Sequence, residues 1–362
     1  MRTNGYIFVV AFLMTLFYQN LKAQIPDKNW IRPVNAKSEA MWGIRNGIVF
    51  SIWPTGVEGS QEKTGGPRGL IRVGYENKGE IYLINFLAVE PVVNDKIEFS
   101  EISPSLIDNQ WGKLMWAGAS ETETAYFAGA KTRGTILHPD SKHPEVEELS
   151  VCIFIERFKN GAHPYLRLSI RSDNPEELGI EVFNHSGSAL MQRCAVTATM
   201  GNYSRLRELH LKDKVVNSAD LYKGYDEIDF IEKESYAAAQ LWKAGNGDLI
   251  AIAESDEDFK SLSSWPQEKD YLDRAGWRYR PNLKLSQYWR KDASEYDSSL
   301  VLRVNGRAKY WSVGSRNQQD YVSIPGGPSF ENFELREKYH SGQKLYYGIT
   351  RKTARQFLKE YK

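Results

Sequence analysis

The chain has little cysteine, no excess charge of either sign and few helical signals. Two cysteines in 362 residues, Cys152 and Cys194, leave room for at most one disulfide. Both lie in strand-like runs and neither belongs to a metal-spaced cluster. They read as two buried free thiols, with a bridge as the alternative. Lysine and arginine number 47 against 46 acids, a balance that gives no support to nucleic-acid binding, which shows a basic excess. No glycine-rich phosphate loop, HExxH pair or serine-elbow signature is present. No Pro- or Ser-rich linker and no repeat divides the chain, so a single domain is expected after the leader.

The one long apolar stretch is at the start. Arg2 precedes the run IFVVAFLMTLF, residues 7–17, and a small residue, Ala23, offers a cleavage point. This pattern predicts a secretory leader over residues 1–23 and an exported protein, periplasmic or secreted. The run is short for a membrane span, and no later segment is long and apolar enough. Without the leader's Arg2 and Lys22 the formal charge becomes −1.

What the chain does contain is strand signal. GIVFSIW, GLIRVGY, EIYLINFLAVE, LSVCIFIERF, YLRLSIR, LGIEVFN, ALMQRCAVTATM, DLIAIAE, SSLVLRV and KLYYGI recur between turn signals such as NKGE, NHSGS and AGNGD. YLRLSIR alternates, with Leu166, Leu168 and Ile170 on one face and Arg167, Ser169 and Arg171 on the other. LINFLAV is continuously apolar, as a central strand covered on both faces would be. TARQFLKEYK predicts a short terminal helix, and SRLRELHL is ambiguous between helix and strand. The fold class expected is all-β: a large antiparallel β-sandwich.

One segment carries unusual chemistry. GNYSRLRELHL follows a strand-like run and presents Asn202, Tyr203, Arg205 and Arg207 together. Upstream, FNHSGS places Asn184 and His185 at the end of another run. If those runs form a hairpin, the two groups sit at its opposite ends. Arginine forks grip carboxylates, and a tyrosine or neutral histidine moves protons. Such a set suits a uronic acid, whose C5 proton lies beside a carboxylate and whose removal builds up negative charge. Tyr203, His185, Arg205 and Arg207 are therefore the catalytic candidates, with Asn202 beside them. The blander reading makes His185 a turn residue and the arginines a solvated face.

Arg68 and Arg72 in GGPRGLIRVGY, Glu90 ending NFLAVEPVV, Trp111 in IDNQWGKLMW and Asn332 in SFENFELREKYH are candidates to line a substrate cleft. The loop HPDSKHPEVEE, with His138 and His143, reads as a solvated turn rather than a metal site. No cofactor and no metal is expected.

GGPRGLIRVGY, INFLAVEPVV, TMGNYSRLREL and IPGGPSFENFEL together resemble secreted β-sandwich proteins encoded among polysaccharide-degrading enzymes. The nearest functional likeness is to the oligosaccharide dehydratases of ulvan breakdown, over residues 42–349. That resemblance implies a galactose-mutarotase-like supersandwich. It also implies loss of water from a terminal uronic acid to give a 4,5-unsaturated sugar. It transfers no catalytic residue. The alternatives are a non-catalytic glycan-binding sandwich, a sugar epimerase or mutarotase, and a glycoside hydrolase.

Overall fold

The computed structural model describes residues 28–35, 38–52, 68–122, 132–199, 206–231, 234–256, 285–310, 322–324 and 326–361. The expected leader lies outside them, as do Asn202, Tyr203 and Arg205. Among the described residues no helix is long and apolar enough to cross a membrane.

Two large antiparallel sheets pack together as a sandwich. The first runs β1 (Trp30–Ile31), β2 (Met41–Ile44), β3 (Ile48–Ile52), β4 (Ile71–Asn77), β5 (Glu80–Val93), β12 (Arg193–Thr199), β22 (Ser329–Arg336), β19 (Val301–Arg307) and β15 (Glu234–Ala237). β6 (Lys96–Ile97) pairs with the end of β5. The second sheet runs β14 (Val215–Asn217), β13 (Glu208–His210), β17 (Leu249–Glu254), β18 (Ser286–Lys291), β23 (Gln343–Thr350), β11 (Asn174–Asn184), β10 (Pro164–Arg171), β9 (Glu148–Ile155) and β7 (Met115–Gly118). β8 (Thr135–Leu137) joins β9, β16 (Trp242–Lys243) joins β17, and β20 (Lys309–Tyr310) with β21 (Val322–Ser323) forms a separate ribbon.

The expected strands form where their patterns placed them, several of them shortened: SSLVLRV is strand only from Val301 and LSVCIFIERF only as far as Ile155. ALMQRCAVTATM is strand only from Arg193. On β10, Leu166, Leu168 and Ile170 are fully buried in the main core, whereas Arg167 and Arg171 are half-buried on the other side. β5 sits between β4 and β12, and residues 82–93 are buried throughout, as a strand covered on both faces requires. The ambiguous SRLRELHL contributes a three-residue strand, β13. TARQFLKEYK forms the helix Ala354–Glu360, started by Thr353, whose side chain accepts from the Gln356 amide.

Side chains of both sheets meet in one apolar core, in which Trp289 of β18 packs on Tyr347 of β23 at 5.0 Å. A buried polar trio spans the sheets within it. Asn85 of β5 donates to Gln287 Oε1 at 2.6 Å and lies 2.8 Å from the Tyr347 hydroxyl, which also donates to Gln287. On the far side of the second sheet, Phe357 of the terminal helix stacks on Tyr288 at 4.3 Å. The Tyr288 ring lies flat over Gly348: a Cβ there would come within 1.9 Å of it.

FNHSGS and RCAVTATM do not form a hairpin. β11 belongs to the second sheet and β12 to the first, so residues 185–192 carry the chain from one sheet to the other. The cysteines separate in the same way: Cys152 is on β9 and Cys194 on β12, and both are free and buried.

The loop after β6 is fastened by a buried ion pair. The Glu156 carboxylate accepts from Ser105 Oγ at 2.8 Å and from the Leu106 and Leu114 amides at 2.6 and 3.0 Å. Lys113 Nζ, fully buried, lies 3.5 Å from it and donates to Pro104 O at 2.7 Å.

Two outcomes follow from these contacts. Glu156→Ala leaves the Lys113 ammonium buried without its acid, and urea denaturation should show a loss of about 3–5 kcal/mol. Burial raises the Cys152 thiol to about 11 and the Cys194 thiol further. A thiol reagent at mildly alkaline pH should therefore label two cysteines per denatured chain and scarcely any in the native protein.

Candidate active face of the first sheet

Strand register decides which side chains share a face, because directly paired residues point the same way. Ser51 of β3 pairs with Arg72 of β4, Arg72 with Phe86 of β5, Phe86 with Thr199 of β12, and Thr199 with Asn332 of β22. Alternation from that row adds Ala88, paired with Thr197, and Glu90, paired with Ala195. On β22 the same steps reach Glu334, paired with Arg303 of β19, and Arg336, paired with Val301. Asn85 points to the second sheet, so this set points away from it.

The face is polar and largely covered. Arg72, Glu90, Thr197, Glu334 and Arg336 are all less than 5% exposed. Thr199, Arg303 and Asn332 are half-buried at its edge. The Arg336 Nη2 lies 2.5 Å from Glu90 Oε2 and 2.6 Å from Glu334 Oε1, so two carboxylates flank one guanidinium. Thr197 donates to the other oxygen of Glu334. Arg72 donates to Ser51 Oγ at 2.5 Å. Beside these, Asn305 Oδ1 accepts from the Asn332 amide at 2.8 Å, and Arg307 pairs with Glu331 at 2.9 Å.

Among the described residues, Arg336 Nε and Asn332 Oδ1 are buried without a hydrogen-bond partner. One is a donor and the other an acceptor. They stand four residues apart on one strand, on the same side of the sheet. Where the face runs out past Arg336, a cleft of about 320 Å³ opens, lined by Arg193, Val301, Arg336, Lys338, Asp95 and Glu337 among others. That volume is at the lower end of small-molecule sites, about 300–1,000 Å³.

Arg72, Glu90 and Asn332, from three separated parts of the sequence, thus share this face. Four other candidates lie elsewhere. Arg68 forms a fork-to-fork pair with Asp108, at 2.9–3.1 Å, and holds the loop that bears Trp111. Trp111 is 66% exposed in that loop. Arg207 is buried, with Nε 3.1 Å from Asp256 and Nη1 donating to Gly327 O at 3.0 Å. It ties down the turn leading into β22. Gly326 has φ +83°, and a Cβ on it would come within 3.1 Å of the Arg207 guanidinium.

His185 is the clearest correction. Its ring packs, tilted, 4.2 Å from that of His163 and 4.8 Å from that of Tyr165, at the edge of an aromatic row formed by Trp116, Phe154, Tyr165 and Phe183. That row lies on the outer side of the second sheet, away from Arg72 and Asn332. Nor does His185 approach Arg207. β11 and β13 are separated by β23, β18 and β17, a distance of about 19 Å at the usual strand spacing. A shared His185–Arg207 site is therefore excluded by sheet order. In HPDSKHPEVEE the His143 ring lies 3.2 Å from Glu145, with both side chains exposed.

Sequence reasoning missed Thr197, Glu334 and Arg303 as members of the face. Alternation carried the signal, with Thr197 and Thr199 in RCAVTAT, Asn332, Glu334 and Arg336 in SFENFELR, and Arg303 between apolar neighbours in VLRV.

No family model, no curated protein and no solved structure matches the chain.

The histidine pair gives a pH test. Burial lowers the His163 pKa from 6.5 to about 4, with the neighbouring His185 and Arg157 adding to it. Between those values the unfolded chain holds the proton and the folded chain does not. Stability should therefore fall as pH drops from about 6.5 to about 4. Thermal melts across that range should show a shallower fall in His163→Gln.

Proposed function

We propose that the ionic face of the first sheet binds an acidic oligosaccharide, and that the protein is a carbon–oxygen lyase acting on a uronic acid held there. The observation that carries this reading is the pair of unpartnered groups on β22: a guanidinium donor at Arg336 and an amide acceptor at Asn332. A uronate supplies the complement to each, a carboxylate oxygen for the donor and a ring hydroxyl for the acceptor. Over the described side chains of the face, Arg72, Arg303 and Arg336 outnumber Glu90 and Glu334, so a bound carboxylate restores balance.

The chemistry follows from that anchorage. A base takes the C5 proton, and the electron pair forms the C4–C5 double bond. The C4–oxygen bond then breaks, with its electron pair leaving on oxygen, which a general acid protonates. Guanidinium groups at the carboxylate stabilise the charge that builds up on it, an effect on the order of 10²–10³ in rate per donor. Tyr203 is the proposed base. The carbon–oxygen bond joins C4 either to a hydroxyl, giving a dehydratase, or to the next sugar, giving a chain-cleaving lyase. The leader expected at the N-terminus suits a protein that meets such glycans after export.

Ulvan-derived oligosaccharides are the first substrates to test. The expected result is growth of the ultraviolet band of the unsaturated uronate, with mass spectrometry assigning the loss of water or of a sugar. Arg303→Ala and Asn332→Ala, both at the half-buried edge, should fold normally and lose about 10-fold or more in kcat/KM. Oligosaccharide binding without any new absorbance would reject the lyase in favour of a glycan-binding sandwich. Unchanged kinetics in both variants would remove the site from this face.

A further inference from the structure

On the edge of the second sheet two carboxylates stand directly opposite each other. Glu208 of β13 and Glu254 of β17 are paired residues, an arrangement of like charges that weakens a sheet unless something neutralises it. His210, two positions along β13, turns its ring to the same place. Its Nε2 lies 3.1 Å from Glu254 Oε1 and 4.0 Å from Glu208 Oε2, and the three donor atoms all fall within 4.8 Å of one another. Among the described residues, the His210 contact is the sole ion pair of Glu208.

We infer that Glu208, His210 and Glu254 bind a divalent metal ion of the zinc type. One imidazole nitrogen and two carboxylate oxygens form a donor set that suits zinc and its first-row neighbours. Calcium, which prefers six to eight oxygens, fits it poorly. Around a tetrahedral ion with bonds of about 2.0–2.1 Å, donor atoms lie about 3.3 Å apart. The observed 3.1 and 4.0 Å straddle that value, and the two carboxylate oxygens lie within 4.8 Å of each other.

The surroundings support a metal over a simple acid–histidine hydrogen bond. Glu254 Oε2 accepts from the Ala354 amide at 2.9 Å, at the start of the terminal helix. That contact fixes the carboxylate with its other oxygen toward His210, as an outer-shell partner orients a metal ligand. The Glu208 side chain is 35% exposed and that of His210 17%, which leaves one side open for entry and for a water ligand. A hydrogen bond would satisfy His210 and Glu254 alone. The opposed Glu208 calls for a second positive charge.

Such an ion would clamp β13 to β17. Arg207, the residue before Glu208, holds the turn into β22. The ion would thereby steady the edge of the second sheet, apart from the reaction proposed at the ionic face.

The test uses the full-length chain and needs no carbohydrate, so it stands or falls apart from the lyase reading. Protein stripped with a chelator is loaded with Zn²⁺, desalted and analysed by elemental mass spectrometry. About one zinc per chain should remain, and loading should raise Tm in a chelator-reversible way. Glu208→Gln and His210→Ala should each retain about a tenth or less of that zinc. The site is refuted if the wild type empties as fully as the variants, if the variants keep as much zinc as the wild type, or if Ca²⁺ displaces Zn²⁺ at equal concentration. Should one variant fail to fold, the other still decides. Absence of any wild-type Tm shift at saturating Zn²⁺ refutes the site without either.

Discussion

The structure depends on the double burial of its first sheet. One face lies against the second sheet and is apolar; the other is covered and ionic. Glu90, Glu334 and Arg336 form a cluster on that second face at 2.5–2.6 Å, and an uncompensated buried charge costs several kcal/mol. Register is therefore locked from both sides. A slip of one residue on β22 would carry Glu334 and Arg336 into the core and push Phe333 and Leu335 out. The ionic cluster and the apolar core specify the same alignment. A site built on these strands is held more closely than one built on loops.

The second sheet manages its outer face differently. Near β9, β10 and β11 it carries an aromatic row with His163 and His185 packed against it. Near β17 and β18 it is capped by the terminal helix through Phe357 and Leu358. Between them Arg290 lies 2.7–2.8 Å from Asp248 and Glu177 and over the Tyr346 ring. In that network a single arginine is bracketed by carboxylates and an aromatic face. It reads as a structural tie.

Architecture was legible because strand patterns are local. YLRLSIR and LINFLAV revealed their faces through their own spacing, and β10 and β5 sit as that spacing requires. The two runs join different sheets: FNHSGS ends a strand paired with its neighbour β10, whereas RCAVTATM takes its partners from β5 and β22, each more than a hundred residues away, which no local pattern reveals. The site was half legible for the same reason. Arg72, Glu90 and Asn332 announced themselves as polar residues in apolar runs, yet their meeting follows from pairings among β4, β5, β12 and β22. Arg68 and Arg207 look identical to them in sequence. Only the partners, Asp108 and Asp256, separate arginines that hold loops from arginines that belong to the face.

A polar network kept only for stability closes on itself, since a half-satisfied one is worse than an apolar replacement. The ionic face does not close. Thr197, Glu334 and Glu90 are matched, while Arg336 Nε and Asn332 Oδ1 are left over. Both lie toward the sides where the face meets half-buried Thr199 and Arg303 and the cleft at Arg193. The unmatched groups thus stand where buried polarity gives way to accessible surface. On the reading proposed above, a ligand at this face would meet groups already oriented by the central strands, so the cost of ordering them would be met in folding rather than in binding.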